Sequence, residues 1–323
     1  MKLRDTRTPE IIALAGDIKF EMSKLVIAHS KVVEANHELS CLLRNSQIDA
    51  VGMLLTGPAG MGKTNYSQAI VRYMTSNVTH TIEADKRPVI LIESPDSSAR
   101  GGMASQLLIA LGDNNPYAGN LTLKIEKIAN YLIQQDVKLI IIDEIHGFLP
   151  KKPTTLPSQA LTFLKRLMNC TKVPFLFMGT ELAKPLVSND AELASRILYR
   201  VAFECIPFGQ TISDKKEFTQ ILDAYAQLLS KAGKNLIFIK KEKDKKKLNM
   251  IPLINRIYLA TQGNLRNVRN LFQGLVDIVL EGDSPDLASF SRAWRPAMNI
   301  TVKFNPFDEG EYTNVKKKLK ITE

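Results

Sequence analysis

The sequence predicts a doubly wound α/β domain built on a parallel five-stranded sheet, followed by a small helical domain. Three observations carry that reading. Five short apolar runs, at residues 51–56, 88–93, 138–142, 174–178 and 201–206, are continuous rather than alternating, as strands covered on both faces must be. Segments of helical period separate them, at 65–76, 103–111, 123–135, 158–169 and 191–199. Around Pro207 the pattern becomes purely helical. In such a repeated β-α alternation, ligand binds at the carboxyl ends of the strands.

Residues 1–48 read as an N-terminal helical segment, with Ile11, Ile12, Leu14 and Ala15, then Met22, Leu25, Val26 and Val33, at helical spacing. The α/β domain spans 49–206. Its first strand runs into Gly57-Pro58-Ala59-Gly60-Met61-Gly62-Lys63-Thr64, which meets the phosphate-loop pattern G-x-x-x-x-G-K-[ST] at every fixed position. A loop can turn successive N–H groups around phosphate oxygens only where side chains do not block the approach, and Gly57, Gly60 and Gly62 carry none. The helix opening at Asn65 aims its positive dipole end at the same phosphates. Lys63 is expected to reach the β- and γ-phosphates, and Thr64 to offer its hydroxyl to Mg²⁺.

The third strand ends Ile142-Asp143-Glu144, an apolar run closed by two acids. Asp143 at the strand tip is expected to hold the Mg²⁺ shell, and Glu144 to orient and polarise an attacking water. His146, two residues on, makes the string Asp-Glu-Ile-His. That string also occurs in two-domain helicases, but too little chain follows here for a second domain of that kind, so His146 is read as a loop residue near the site. The fourth strand ends Met178-Gly179-Thr180. Strand order puts the Thr180 hydroxyl at the same sheet edge as Asp143, where it can meet the γ-phosphate or the water; a helix cap for Glu181 onward is its plainer role. The helix expected at 191–199 carries Arg196, with Arg200 one turn later on the same face.

Candidate helices at 214–231, 251–261, 265–280 and 286–294 make up a small helical domain, 207–298, the last capped by Ser284 with Pro285 in its first turn. Residues 299–323 lose periodicity and end in the basic run of Lys316, Lys317, Lys318 and Lys320, which is read as an interaction tail.

Composition bounds the function class. A hydrophobic fraction of 45% supports a real core, and a net charge of +10 points to a polyanionic partner, nucleic acid first. No apolar run is long enough to cross a bilayer, and the N-terminus lacks the apolar stretch of a signal peptide, so a cytoplasmic location is expected and no membrane partner. Cys41, Cys170 and Cys205 are read as reduced packing residues. The four histidines show no metal-ligand spacing, so no metal is expected beyond nucleotide-bound Mg²⁺.

Taken together, the phosphate loop, the Asp143-Glu144 strand, the polar strand-four tip, the late Ser195-Arg196 and a helical lid containing Gly263-Asn264-Leu265-Arg266 resemble an AAA+ ATPase over residues 51–280. The resemblance implies ATP as ligand and substrate. It makes Arg196 the arginine finger that neutralises charge on the neighbouring protomer's nucleotide, and Arg266 the lid's second sensor, with Arg200 and Arg269 as substitutes. The compact size, the helical segment leading into the loop, the Met178-Gly179-Thr180-Glu181 tip and the Asn305-Pro306-Phe307 stretch resemble the TniB/TnsC family of transposition regulators. That resemblance implies a homo-oligomer, ring or helical filament, that assembles on double-stranded DNA without sequence preference. It would receive a signal from a TniQ-like target-selection protein and pass it to a DDE transposase. DNA would then meet Arg100, in the loop after the second strand, and Lys151 and Lys152, after the third; the run 240–247 is read instead as an exposed loop. Two rival readings stand beside it: a helicase loader or replication initiator, and a nucleotide-gated protein-interaction switch that binds no DNA.

Overall fold

The computed structural model describes residues 7–46, 49–76, 86–93, 102–148, 159–188, 190–209, 215–238 and 250–321. In chain order the elements are α1 (Pro9–Lys24), α2 (Ser30–Asn45), β1 (Gly52–Thr56), α3 (Lys63–Ser76), β2 (Val89–Glu93), α4 (Gly102–Ala110), α5 (Leu121–Gln134), β3 (Leu139–Asp143), α6 (Gln159–Thr171), β4 (Phe175–Gly179), α7 (Pro185–Ser188), α8 (Ala191–Arg196), β5 (Ile197–Ala202), α9 (Lys216–Leu229), α10 (Ile251–Thr261), α11 (Leu265–Leu280), α12 (Leu287–Ala293) and α13 (Tyr312–Leu319). They divide into a sheet unit, Ser30–Ala59 with Lys63–Phe203, and a helical unit, Met1–His29 with Gly60–Gly62 and Glu204–Glu323. The helices of the N-terminal segment are thus shared out, α1 to the helical unit and α2 to the sheet unit.

In the sheet unit five parallel strands lie in the order β2-β3-β4-β1-β5. β1, β3 and β4 are buried at every position, because the centre of a parallel sheet has helices on both faces. Their register is regular, with Leu54 opposite Phe177 and Ile142 opposite Phe177 from the other side. The core beneath is aliphatic with stacked Phe175 and Phe177 rings 5.5 Å apart.

The fifth strand corrects the sequence reading. It runs Ile197–Ala202 and not 201–206, and α8 ends at Arg196 and not at 199. Arg200 therefore lies on a strand, not on the helix face of Arg196. β5 is an edge strand whose burial is broken at Leu198, Tyr199 and Arg200, so the criterion of continuous apolarity does not register it. α2 packs on it, and Asn45 Nδ2 donates to the Tyr199 hydroxyl at 2.5 Å.

In the helical unit α1 buries Ala15, Ile18 and Met22. It is tied to α11 through Asp277, which accepts from Arg7 Nη1 at 2.7 Å and Lys19 Nζ at 2.6 Å. Ile12 and Leu14 of the expected apolar stripe are exposed, as is Val33 on α2. α12 is capped by Asp286, whose carboxylate accepts from Ser289 N, and not by Ser284; aspartate and serine cap about equally well, so sequence did not separate them.

Residues 299–321, read from sequence as an interaction tail rather than a packed element, do pack. Phe307 is buried and stacks on Phe290 at 5.3 Å, and Val302 and Val315 join Leu259 in a small core. The buried guanidinium of Arg256, on α10, binds the tail by donating to the carbonyls of Pro306 and Asp308, the latter at 2.8 Å, with its Cζ 5.2 Å from the Tyr312 ring centroid. Of the cysteines, Cys170 is exposed and so is no packing residue, while Cys41 and Cys205 are half-buried; all three are free. No helix among the described residues is long and apolar enough to cross a membrane.

Candidate nucleotide-binding site

β1 delivers its loop at the carboxyl edge of the sheet unit. A Cβ at Gly57, where φ is +154°, would fall 2.2 Å from the Phe203 carbonyl oxygen, and Phe203 is fixed there by its N–H to Thr56 O at 2.7 Å. Only glycine lets the loop turn at this point. Lys63 opens α3 with 5% of its surface exposed. Its Nζ donates to the loop carbonyls of Gly57 at 2.8 Å and Pro58 at 3.1 Å. A buried ammonium keeps its charge only with such acceptors, and phosphate oxygens in the loop would meet the same donor. Behind it the Tyr66 hydroxyl donates to Asn36 Oδ1 at 3.0 Å, and burial pushes its pKa up, keeping it a neutral donor. Pro58 and Ala59 are exposed, and Asn65 is half-buried in the first turn of α3.

The tip of β3 brings Asp143 to Thr64, the two residues that sequence expects at Mg²⁺. Asp143 is 3% exposed; its Oδ2 accepts from Thr64 Oγ1 at 2.9 Å and its Oδ1 from Glu144 N at 2.9 Å. Both donors are neutral, and no cation pairs with this carboxylate among the described residues. A buried carboxylate without a cation is costly. One hydroxyl and one carboxylate, with water filling the rest, is the donor set Mg²⁺ takes beside a phosphate chain. The residues fit the ion.

Next to that pair stand polar atoms without a hydrogen-bond partner among the described residues. Glu144 Oε2 and His146 Nδ1 are 3.1 Å apart, within hydrogen-bond distance but not aligned as a hydrogen bond, and both atoms are buried. Thr180 Oγ1, at the β4 tip, is likewise buried without a partner among the described residues. It occupies the cap position of the turn Glu181–Ala183 but makes no cap bond, so the plainer helix-cap role is not the one observed. Buried polar atoms are rarely left unpaired in proteins, and here they gather at the tips of neighbouring strands where a γ-phosphate and its attacking water would lie.

Arg196 closes α8. Its Nη2 meets Glu192 Oε1 at 3.1 Å, while its Nε is buried without a partner among the described residues. Arg200 is occupied otherwise: its Nε donates to Ile197 O at 3.2 Å and its Nη2 to Ala194 O at 3.3 Å, closing off the end of α8. Of the two, Arg196 is the one with donor capacity to spare.

The helical unit carries the remaining predicted residues. Gly60–Gly62 belong to it, with Met61 buried. Arg266 N donates to Gly60 O at 2.9 Å, and the Arg266 side chain is exposed. A Cβ at Gly60 would stand 2.6 Å from Asn264 Oδ1. Asn264 is a residue sequence reasoning passed over: it caps α11 by accepting from Arg266 N at 3.0 Å, and its signal was an asparagine one residue before an apolar helix. Nε of Arg269 is buried without a partner among the described residues. Arg100, Lys151, Lys152 and the run 240–247 lie outside the described residues.

The family model for the bacterial TniB protein matches residues 18–203, more than half of the chain. The chain belongs to the TniB family. Its fold is that of the AAA+ ATPases. The Walker-type ATPase of Pyrococcus abyssi aligns with 92% of this TniB-family chain and 76% of its own, at 14% identity and a TM-score of 0.53. The ORC1 protein of Aeropyrum pernix, solved in complex with DNA, aligns with 94% of this chain and 68% of its own, at 16% identity and a TM-score of 0.51. At these identities the likeness is one of fold. No curated protein matches the chain.

Proposed function

We propose that this TniB-family protein is an ATP-dependent regulator of DNA transposition. In its ATP state it oligomerises on double-stranded target DNA and links a TniQ-like target-selection protein to a DDE transposase. The observation that carries the ATP dependence is the 2.9 Å hydrogen bond from Thr64 to Asp143, between residues far apart in sequence but juxtaposed where a phosphate loop meets a strand tip. Family membership supports the transposition role. The net charge of +10 and the fold shared with a protein solved on DNA support the DNA partner.

Lys63 neutralises the β- and γ-phosphate oxygens, and the N–H groups of the glycine loop cradle them. Thr64 and Asp143 would hold Mg²⁺, which when bound supplies charge neutralisation to the phosphates. The Glu144 carboxylate orients the attacking water and draws on its proton. The Thr180 hydroxyl steadies the water or the γ-phosphate, Arg196 of one protomer offsets transition-state charge on its neighbour's nucleotide, and Arg266 acts as the lid's sensor. Arg100, Lys151 and Lys152 supply sequence-independent phosphate contacts.

The test is duplex-DNA binding with ATP by gel mobility. Lys63→Ala should bind neither nucleotide nor DNA as an oligomer, while Glu144→Gln should bind ATP and remain on DNA long after the wild type has dissociated. A Glu144→Gln protein that hydrolyses ATP at the wild-type rate would remove the catalytic assignment.

A further inference from the structure

Glu144 lies in the left-handed region at φ +51°, where a residue with a side chain costs roughly 1–2 kcal/mol over its ordinary backbone. Two hydrogen bonds hold it there: its own N–H to Asp143 Oδ1 at 2.9 Å, and the Gly147 N–H to its carbonyl at 2.9 Å. The kink drives Ile145 into the core, fully buried, and starts a single 3₁₀ turn, Ile145–Phe148. That turn swings the His146 ring back over the strand tips. The ring finds room because β4 ends in Gly179: a Cβ there would stand 3.3 Å from His146 Nδ1 and 3.0 Å from the Ala183 Cβ. Backbone strain, a tight turn and a small residue on the next strand converge on one contact, His146 Nδ1 to Glu144 Oε2 at 3.1 Å. Both atoms are shut off from solvent, yet 38% of the Glu144 side chain remains open.

We propose that His146 is a positioning residue for Glu144: with its proton on Nδ1 it anchors one carboxylate oxygen, leaving the other aimed at the attacking water. The proposal rests on the reading of Glu144 as the group that activates water. The distance for that hydrogen bond is already met. A carboxylate held by one oxygen has a fixed direction, whereas a free one must find the water among several rotamers, and positioning of this kind is worth about 10–100-fold in the analogous case of residues that orient metal ligands.

The side chains that test this differ in which imidazole nitrogen they mimic. Asparagine places its amide nitrogen where Nδ1 stands; glutamine reaches instead to the position of Nε2. ATP turnover would be measured on the full chain with duplex DNA, and affinity with a fluorescent ATP analogue. His146→Ala should lose about tenfold in kcat with KM and analogue affinity within about twofold. His146→Asn should recover most of that loss and His146→Gln should not. A purely structural histidine would make the two amides equivalent, and equal rates for them would overturn the proposal, as would an unchanged kcat in His146→Ala. If His146→Ala does not fold, the Asn and Gln pair alone decides. Glu144→Gln is run alongside. Wild-type hydrolysis in that variant means that the reading of Glu144 itself has failed; loss of hydrolysis there with normal turnover in every His146 variant means that only the present proposal has.

Discussion

At the scale of single residues, the site is a set of buried charges whose partners are fixed by local geometry. Lys63 is the clearest case: the glycine loop itself supplies two carbonyl partners for its ammonium. Removing that ammonium removes the one buried cation at the phosphate loop, so Lys63→Ala should lower ATP affinity at least about a hundredfold, on the order of 3 kcal/mol, without lowering the melting temperature by more than a few degrees. Fluorescent-nucleotide titration and calorimetry check both halves. The placement of Lys63 and Thr64 was legible in the sequence because the spacing of a phosphate loop is dictated by how closely backbone N–H groups must approach an anion, and that of Asp143 because an apolar run closed by two acids marks a strand tip. The contact between His146 and Glu144 was not. It depends on a left-handed residue at Glu144 and a missing side chain at Gly179, and neither is marked by periodicity.

Elements follow the same division. The central strands β1, β3 and β4 were legible because burial on both faces forces continuous apolarity, whereas β5, exposed on its outer side, was displaced by four residues. α13 was missed because a lysine-rich run hides the single buried Val315 that seats it. Its anchor gives a sharp expectation. Arg256 satisfies two tail carbonyls from a buried position, so Arg256→Ala should cost about 2–3 kcal/mol in chemical denaturation and expose residues 299–321 to proteolysis before the rest of the chain. α8 carries a pH dependence. Burial raises the pKa of its capping carboxyl, Asp190, but the Leu193 N–H, the Lys165 ammonium and the Glu192 N–H outweigh it, and the net shift is downward. The stabilisation is therefore present above the unfolded value near 3.9 and is lost as pH falls through the lower folded value. Asparagine caps as well as aspartate, so Asp190→Asn should keep the helix but flatten this part of the acid loss. Unfolding midpoints compared between about pH 6 and pH 3 show whether the two curves converge at low pH, as expected.

For the whole molecule, nucleotide state is expected to govern assembly, because Arg196 keeps donor capacity that nothing among the described residues fills. Arg196→Ala should bind ATP with near wild-type affinity and yet turn over at least tenfold more slowly, as steady-state kinetics at several protein concentrations would reveal. The excess of positive charge sets a second expectation: binding to duplex DNA should weaken steeply with salt and hardly vary with sequence. The most direct test of the central claim is the mass and shape of the protein on duplex DNA, by light scattering and negative-stain microscopy, with a non-hydrolysable ATP analogue and with ADP. Rings or filaments on DNA with the analogue alone are the expected result; a monomer indifferent to DNA in both nucleotide states would contradict it.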